Sequence, residues 1–189
     1  MALLAKGEKS GLSEKSVQEG PKTFYVGAAW DGNVDLDLMI VPVKDGAAVE
    51  SETVYYGNLK AFDGSIAHSG DATNGDAAGD DESVVIKVDG VTADHLVVGV
   101  VAYSVPDMSA ASNTKFTIRD GGDEKSPMLY ELPMSDDDVD GETVLVSCVL
   151  SNNAGVWTAK NVGEFLTEFD HGKPSVDGML SVAAKYTAA

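Results

Sequence analysis

The sequence predicts an all-β protein, a two-sheet β-sandwich with long acidic loops and a short C-terminal helix. Two observations lead to this fold class. Segments rich in β-branched and aromatic residues recur along the 189-residue chain, and clusters of Gly, Asp and Asn separate them at intervals typical of a sandwich. Apolar residues at helical spacing occur only near the end of the chain. We expect one domain over residues 1–189, a length that allows a sizeable core.

The predicted strands begin after a polar connecting loop at residues 8–22. Residues 95–103 form a continuous apolar run, which is typical of a strand at the centre of a sheet. The predicted strands cover residues 23–30, 35–43, 54–56, 84–88, 95–103, 115–119, 128–132, 143–150 and 156–161. After them, Pro174 precedes a predicted helix at residues 175–186. Its apolar positions at helical spacing are Val176, Met179, Leu180 and Ala183.

The segment from His68 to Glu82 carries the strongest functional signal. It reads His-Ser-Gly-Asp-Ala-Thr-Asn-Gly-Asp-Ala-Ala-Gly-Asp-Asp-Glu and contains neither Lys nor Arg. Carboxylates about 4 Å apart repel by roughly 4 kcal/mol per pair at an effective dielectric near 20, so a compact loop of this composition needs a cation or must extend its charges into water. Hard oxygen donors on a flexible loop suit Ca²⁺. The predicted ligands are the side chains of Asp71, Asp76, Asp80, Asp81 and Glu82, with backbone carbonyls at Asn74 and Gly75.

This acidic loop is not an EF-hand. Thr73 and Gly75 occupy positions 3 and 5 of the twelve-residue EF-hand loop, where ligands are expected, and Asp76 stands where an EF-hand has its invariant glycine. The flanking segments also have the composition of strands rather than helices. We therefore expect a calcium loop that connects two strands.

A second acidic signal lies upstream, in the predicted strand that starts at residue 35. Asp35 and Asp37 are two positions apart and project to one face of a strand, with Leu36 and Leu38 on the other. Two neighbouring carboxylates on one face are unfavourable unless they are solvated or share a cation. Asp31, in the preceding turn, could reach the same point. A fold that brings these residues beside the acidic loop would assemble one multi-carboxylate pocket.

The same segments resemble the tellurite-resistance TerD family. The resemblance rests mainly on the block from His68 to Glu82 and covers nearly the whole chain. It also includes Trp30-Asp31, Asp35-Leu-Asp37, Tyr56-Gly-Asn-Leu-Lys60, Ser112-Asn113 before the strand at residues 115–119, and Gly155-Val-Trp157. It implies a calcium-binding β-sandwich of a bacterial stress-response or tellurite-resistance system, with the metal held by these acidic loops and with other proteins of that system as partners.

Two other acidic segments are predicted to be turns. Residues 120–123, Asp-Gly-Gly-Asp, have the composition of a hairpin turn. Residues 135–142 are either a further metal site or a solvated turn between the strands that end near residue 132 and begin at residue 143. We favour the turn, because the family resemblance implies no ligands there.

Composition limits the classes of partner and the compartment. Thirteen basic and 31 acidic residues give a formal net charge of −18, which repels nucleic acid and anionic membrane surfaces. The N-terminus lacks the apolar region of a signal peptide and no stretch is long and apolar enough to enter a membrane, so a cytoplasmic location is the expectation. The single Cys148 lies in an apolar run and is predicted to be a buried core thiol.

Catalysis is the lesser hypothesis, and we expect the protein not to be an enzyme. The three histidines are scattered, and no nucleophile elbow, P-loop or His-Glu-x-x-His motif occurs. His68, beside the acidic loop, is expected to hydrogen-bond and position that loop. The alternative function is a metal-dependent hydrolase that uses the same carboxylates. A Ca²⁺ shell filled by protein oxygens would favour the binding module, whereas a smaller metal with open water positions would favour the enzyme.

Overall fold

A computed structural model describes residues 20–103, 107–134, 141–167 and 176–187, which form two antiparallel sheets and one α-helix. The strands in chain order are β1 Thr23–Asp31, β2 Leu36–Lys44, β3 Ala47–Ala48, β4 Lys60–Ala61, β5 Ile66–His68, β6 Glu82–Lys87, β7 His95–Ala102, β8 Ser112–Asp120, β9 Met128–Pro133, β10 Val144–Asn153 and β11 Val156–Leu166. The helix α1 spans Val176–Thr187. The prediction of an all-β, two-sheet sandwich with a C-terminal helix is confirmed.

Each sheet mixes strands from both halves of the chain. The first has the order β4-β5-β6-β1-β8-β9, and the second has the order β11-β10-β7-β2-β3. Strand β7 lies between β10 and β2, which confirms the central position predicted for residues 95–103. Strand β2 joins β7 in the second sheet, while β6 joins β1 in the first. The acidic loop connects β5 to β6, as expected for a loop between two strands.

Strand β2 is apolar on both faces because both of its faces are covered. Leu38 and its inward-facing neighbours are buried between the sheets. Met39 and Val41 belong to a second cluster on the opposite face, where Met179 and Val182 of α1 pack. The helix approaches the sheet closely, since a Cβ at Gly99 would lie 2.5 Å from Met179 Cε. The two layers of core therefore hold β2 rigidly beside the candidate site.

The segment predicted as a strand at residues 54–56 is the main correction to the strand assignment. Val54 forms only an isolated bridge with Ile40, and the chain then turns so that Tyr55 pairs with Asn58. The short strands β3, β4 and β5 were not predicted, because two or three residues are too few to show an alternating pattern. Most of the other strands extend beyond their predicted ends by a few residues.

Several smaller predictions have clear outcomes. Cys148 is fully buried, and burial raises the pKa of its thiol to about 12. Residues 121–127 form the connection of the β8–β9 hairpin. Residues 8–19 of the predicted N-terminal loop and residues 135–140 of the second acidic run lie outside the described residues. Among the helices of the described part of the chain, none has both the length and the apolarity needed to cross a membrane.

Candidate metal centre

Three aspartates converge at one end of the second sheet. One carboxylate oxygen from each of Asp35, Asp37 and Asp71 lies within 4.8 Å of the other two. Asp35 directly precedes β2, Asp37 is its second residue, and Asp71 opens the acidic loop after β5. The structure thus brings the two acidic signals of the sequence together. Among the described His, Cys, Asp and Glu residues, these three form a group that could hold a metal ion. We call this group the aspartate cluster.

The aspartate cluster holds carboxyl oxygens that have no hydrogen-bond partner among the described residues. Asp37 is only 5 % exposed, and Asp35 Oδ1 and Asp37 Oδ2 are buried without a hydrogen-bond partner in the described structure. Burial, followed by the charges of Glu82, Asp35 and Asp71, raises the pKa of Asp37 to about 8. Burial and then the charge of Asp71 also raise the pKa of Asp35. At separations within 4.8 Å, two charged members repel by about 3.5 kcal/mol at an effective dielectric of 20.

Glu82 fixes the position of the cluster without belonging to it. Its side chain is fully buried at the start of β6, and its two oxygens accept hydrogen bonds from different segments. The N–H of Leu38 donates to Oε2 at 2.7 Å, and the N–H of Ala72 donates to Oε1 at 3.1 Å. Glu82 therefore ties β2, which carries Asp37, to the residue that follows Asp71.

His68 supports the same junction from the end of β5. The N–H of Gly70 donates to His68 Nδ1 at 3.1 Å, so the ring proton of a neutral imidazole lies on Nε2. Nε2 is 3.0 Å from the carbonyl of Leu38 and 3.4 Å from Glu82 Oε2. The ring is buried between these groups. These contacts fit the expectation that His68 positions the acidic loop.

Asp81 has partners that the aspartate cluster lacks. Its Oδ2 accepts a hydrogen bond from the N–H of Trp30 at 2.9 Å, and its Oδ1 accepts one from the N–H of Ala77 at 2.9 Å. Its own N–H donates to the carbonyl of Ala28 at 2.8 Å. Asp81 thus anchors the end of the acidic loop to β1 with both carboxylate oxygens.

Asp80 lies on the outer face of the first sheet, over Gly27 of β1. A Cβ at Gly27 would lie 2.1 Å from Asp80 Oδ2 and 2.8 Å from Thr117 Oγ1, so only glycine admits both groups there. Burial raises the pKa of Asp80, while a hydrogen bond from Tyr25 lowers it. Asp80 Oδ2 and Thr117 Oγ1 are both buried without a hydrogen-bond partner in the described structure. Asp80 is therefore placed apart from the aspartate cluster.

The other predicted ligands are spread over the loop and the adjoining turn. Asp31 Oδ2 accepts a hydrogen bond from Asn113 Nδ2 at 2.6 Å. Gly75 is buried and donates its N–H to the carbonyl of Gly32 at 2.8 Å. Asp76 is exposed, Asn74 is half-buried, and neither is placed in the aspartate cluster. Metal ligation by these residues, and by Asp80, Asp81 and Glu82, stays a prediction.

Trp30 and Glu124 contribute to the site although sequence analysis did not assign them to it. Trp30 Nε1 donates to the carbonyl of Val34 at 2.9 Å, and the space beside its ring admits only glycine at position 75. Glu124, from the β8–β9 connection, accepts a hydrogen bond from the N–H of Asp80 at 3.3 Å. The one indication of a role for Trp30 in the sequence was that Trp30-Asp31 carries the family resemblance together with the acidic loop. Nothing near Glu124 in the sequence indicates its contact.

Two curated proteins are similar to this chain over most of their length. A stress response protein, SCP2, of Bacillus subtilis is 27% identical in an alignment that covers 85% of this chain and 90% of that protein. The tellurium resistance protein TerD of an Alcaligenes species is 27% identical in an alignment that covers 97% of this chain and 95% of that protein. Their names connect these two relatives with stress response and with tellurium resistance.

A solved structure and a family model complete the comparison. The crystal structure of a homologue of the telluride resistance protein TerD from Streptomyces coelicolor A3(2) superimposes with a TM-score of 0.67 at 20% identity, covering 79% of this chain and 92% of that one. At this identity the likeness shows the fold alone. The family model described as the TerD domain matches residues 1–168. The chain belongs to the TerD family.

Proposed function

We propose that the protein is a calcium-binding module of a bacterial stress-response or tellurite-resistance system. In this proposal Ca²⁺ orders the acidic loop, which then presents a surface to partner proteins. The observation that carries it is the aspartate cluster, in which a buried carboxylate oxygen of Asp37 and one of Asp35 have no hydrogen-bond partner among the described residues. The names of the two relatives support the stress-related setting.

The donor set of the cluster fits Ca²⁺. This ion takes about six to eight oxygen ligands at 2.3–2.6 Å, so ligands on opposite sides of it are about 5 Å apart. The cluster oxygens, all within 4.8 Å of one another, have a spacing that fits such a shell. Asp35, Asp37 and Asp71 would hold the ion, and carbonyls of the acidic loop and water would complete its shell. The bound ion would supply positive charge that offsets the repulsion among these carboxylates.

The frame around the cluster explains how binding would order the loop. Asp71 is exposed, whereas Glu82 and His68 hold the neighbouring backbone in place through partly buried hydrogen bonds. Joining Asp71 to the rigid Asp35 and Asp37 would therefore restrain the first half of the loop. The second half is already attached to β1 through Asp81. Ligand binding that orders only one half of a loop changes its surface without changing the fold.

The decisive experiment is calorimetric titration of EDTA-treated protein with Ca²⁺ and with Mg²⁺, with thermal melting followed in parallel. We expect micromolar or tighter Ca²⁺ binding, weak competition by Mg²⁺, and about 2.7 kcal/mol of added stability at a free Ca²⁺ concentration of 100 times Kd. Asp37→Asn should abolish most of this gain. Asp89→Asn is the matched control, because it removes the same charge from an exposed side chain at the end of β6.

Each result of the calcium titration leads to a different conclusion. No heat and no melting shift in the wild type would overturn the calcium proposal. A full calcium response in Asp37→Asn would instead show that the ion binds elsewhere, with the Asp80 pocket over Gly27 as the next place to test. Equal loss in Asp89→Asn would show that the response depends on net charge rather than on the aspartate cluster.

A metal-dependent hydrolase is the alternative class, and one observation favours keeping it. Asp71 lies on the exposed side of the cluster, so a metal held there would face solvent. Hydrolytic metal sites keep such an open position for water. Preference for Mg²⁺ or Mn²⁺ over Ca²⁺ in the titration, together with metal-dependent turnover of a phosphate or carboxylic ester that Asp37→Asn abolishes, would favour the hydrolase.

A further inference from the structure

A group of tyrosines lies beside the aspartate cluster and has no part in the proposed metal site. The ring centroids of Tyr55 and Tyr56 are 5.2 Å apart at an interplanar angle of 88°, and those of Tyr56 and Tyr103 are 5.2 Å apart at 65°. Tyr103 and Leu59 are each 39% exposed, and they are the large hydrophobic side chains that the described structure leaves exposed. We call Tyr55, Tyr56 and Tyr103 the tyrosine patch.

Backbone contacts place the tyrosine patch next to the aspartates. The N–H of Tyr103 donates to the carbonyl of Asp35 at 3.0 Å. The two residues are adjacent because β7 and β2 pair in antiparallel, with Tyr103 directly after β7 and Asp35 directly before β2. Tyr55 and Tyr56 follow Val54, which bridges to Ile40 of β2. A hydrogen bond to Tyr103, burial and the nearby charges, Asp37 among them, raise the pKa of Tyr56 to about 12. Its phenol therefore stays neutral beside the charged cluster.

Among the described residues, no lysine or arginine pairs with the aspartate cluster. None of the ion pairs that the described residues form joins Asp35, Asp37 or Asp71 to a lysine or an arginine. With Glu82 the local carboxylates number four, so one divalent ion would leave a net negative formal charge. The molecule as a whole carries −18. A partner that approaches this end of the sandwich therefore meets aromatic rings and a negative field together.

We propose that the tyrosine patch and the adjoining carboxylates form a docking site for an arginine side chain of a partner protein. A guanidinium group is planar and always charged, so it can stack on a tyrosine ring while its N–H donors reach carboxylate oxygens. Arginine and tyrosine are also the residue types that contribute most to protein interfaces. This inference rests on the proposed function, in which the ordered loop faces a partner, and it specifies the chemistry of that partner.

Arginine fits the site better than the other occupants. Lysine is a compact point charge that can approach a ring face but cannot stack on it as a planar guanidinium does. A second copy of the chain would bring another −18 of formal charge to a negative surface. An apolar segment would cover Leu59 and the rings but would also desolvate the carboxylates without pairing them, which is costly.

The test uses calcium-loaded full-length protein and two fluorescein-labelled peptides of equal length and charge, one alternating glycine with arginine and the other glycine with lysine. Fluorescence anisotropy should show the arginine peptide binding about threefold to fivefold more tightly, the effect of one exposed cation–π contact. Tyr103→Ala should remove this preference. Tyr103→Phe, which keeps the ring, should preserve it within about twofold. Melting curves establish that each variant is folded.

Three outcomes would overturn the inference. Equal affinity for the two peptides would show that net charge alone attracts them. An unchanged preference in Tyr103→Ala would place the arginine elsewhere. A concentration-dependent dimer in sedimentation experiments that Tyr103→Ala abolishes would assign the patch to a second copy of the chain. Calcium calorimetry on the same samples keeps the two proposals separate, because Tyr103→Ala should bind Ca²⁺ like the wild type.

Discussion

The carboxylates of this site fall into two groups that differ in what their oxygens touch. Asp35 and Asp37 each have a buried oxygen without a hydrogen-bond partner in the described structure, and burial raises both of their pKa values. Asp81 and Glu82 are also acidic, yet both oxygens of each accept backbone N–H groups. The first group has unused acceptors for a cation, whereas the second holds the chain together.

This difference shows that the carboxylates of the site have two different functions. A carboxylate that accepts two N–H donors is stabilised as an anion and acts as a cross-link between backbone segments. A buried carboxylate without donors is destabilised until a cation arrives. Substitutions in the two groups should therefore change stability in opposite directions when the protein is free of metal.

The largest effect is expected for Glu82→Ala. The change leaves the N–H groups of Leu38 and Ala72 without their acceptor in a fully buried place. Two hydrogen bonds to a charged group and the desolvation of their donors amount to about 3–5 kcal/mol of lost stability. Urea denaturation in EDTA measures the free energy of unfolding, with the exposed Glu50→Ala as the control. A loss under about 1 kcal/mol would contradict the structural role of Glu82.

A smaller loss is expected for Asp81→Ala, because its hydrogen bonds lie nearer the surface. Removing the acceptor of the Trp30 and Ala77 N–H groups should cost about 1.5–3 kcal/mol without metal. Asp76→Ala changes an exposed carboxylate of the same loop and should stay within about 0.5 kcal/mol. Equal effects of the two substitutions, again measured by urea denaturation in EDTA, would mean that Asp81 is not an anchor.

The sequence predicted most of the fold because its long strands carry their own pattern. Residues 95–103 are apolar throughout, and the strand that they predict is covered on both sides by β2 and β10 and by two layers of core. Residues 54–56 have the same composition without the same structure. Val54 makes one bridge before the Tyr55–Asn58 turn, and β-branched or aromatic residues suit a single extended bridge as well as a ladder.

The site was predictable only in part, because some of its contacts join residues that are far apart in the sequence. The two-residue spacing of Asp35 and Asp37 predicted their common face, and both lie in the aspartate cluster. The contacts of Glu82 with Leu38 of β2 and of Asp81 with Trp30 of β1 were not predictable, because they depend on how the two sheets are placed. Composition shows that a loop is acidic, but tertiary structure decides which carboxylates receive hydrogen-bond donors.

A further expected effect is a pH dependence that reports on Asp37. In metal-free protein its folded pKa of about 8 lies above the unfolded value of 3.8, so below about pH 4 the carboxyl is protonated in both states. As the pH rises toward 8, the unfolded chain releases this proton and the folded chain retains it. Stability should then fall with rising pH, by at most about 1.4 kcal/mol per pH unit for one proton, and level off above pH 8.

The comparison of wild type with Asp37→Asn isolates this slope. His95 titrates in the same window with the opposite sign, since burial lowers its pKa, and it contributes equally to both proteins. Thermal melts in EDTA from pH 4 to pH 8 should show a wild type that loses stability relative to the variant as the pH rises. Saturating Ca²⁺ should reverse that trend, because a bound cation favours the ionised carboxylate that the empty cluster disfavours. If the stability of both proteins changed with pH in the same way in EDTA, Asp37 would be ionised without a cation. The contrast between the two groups of carboxylates would then rest on Asp81 and Glu82 alone.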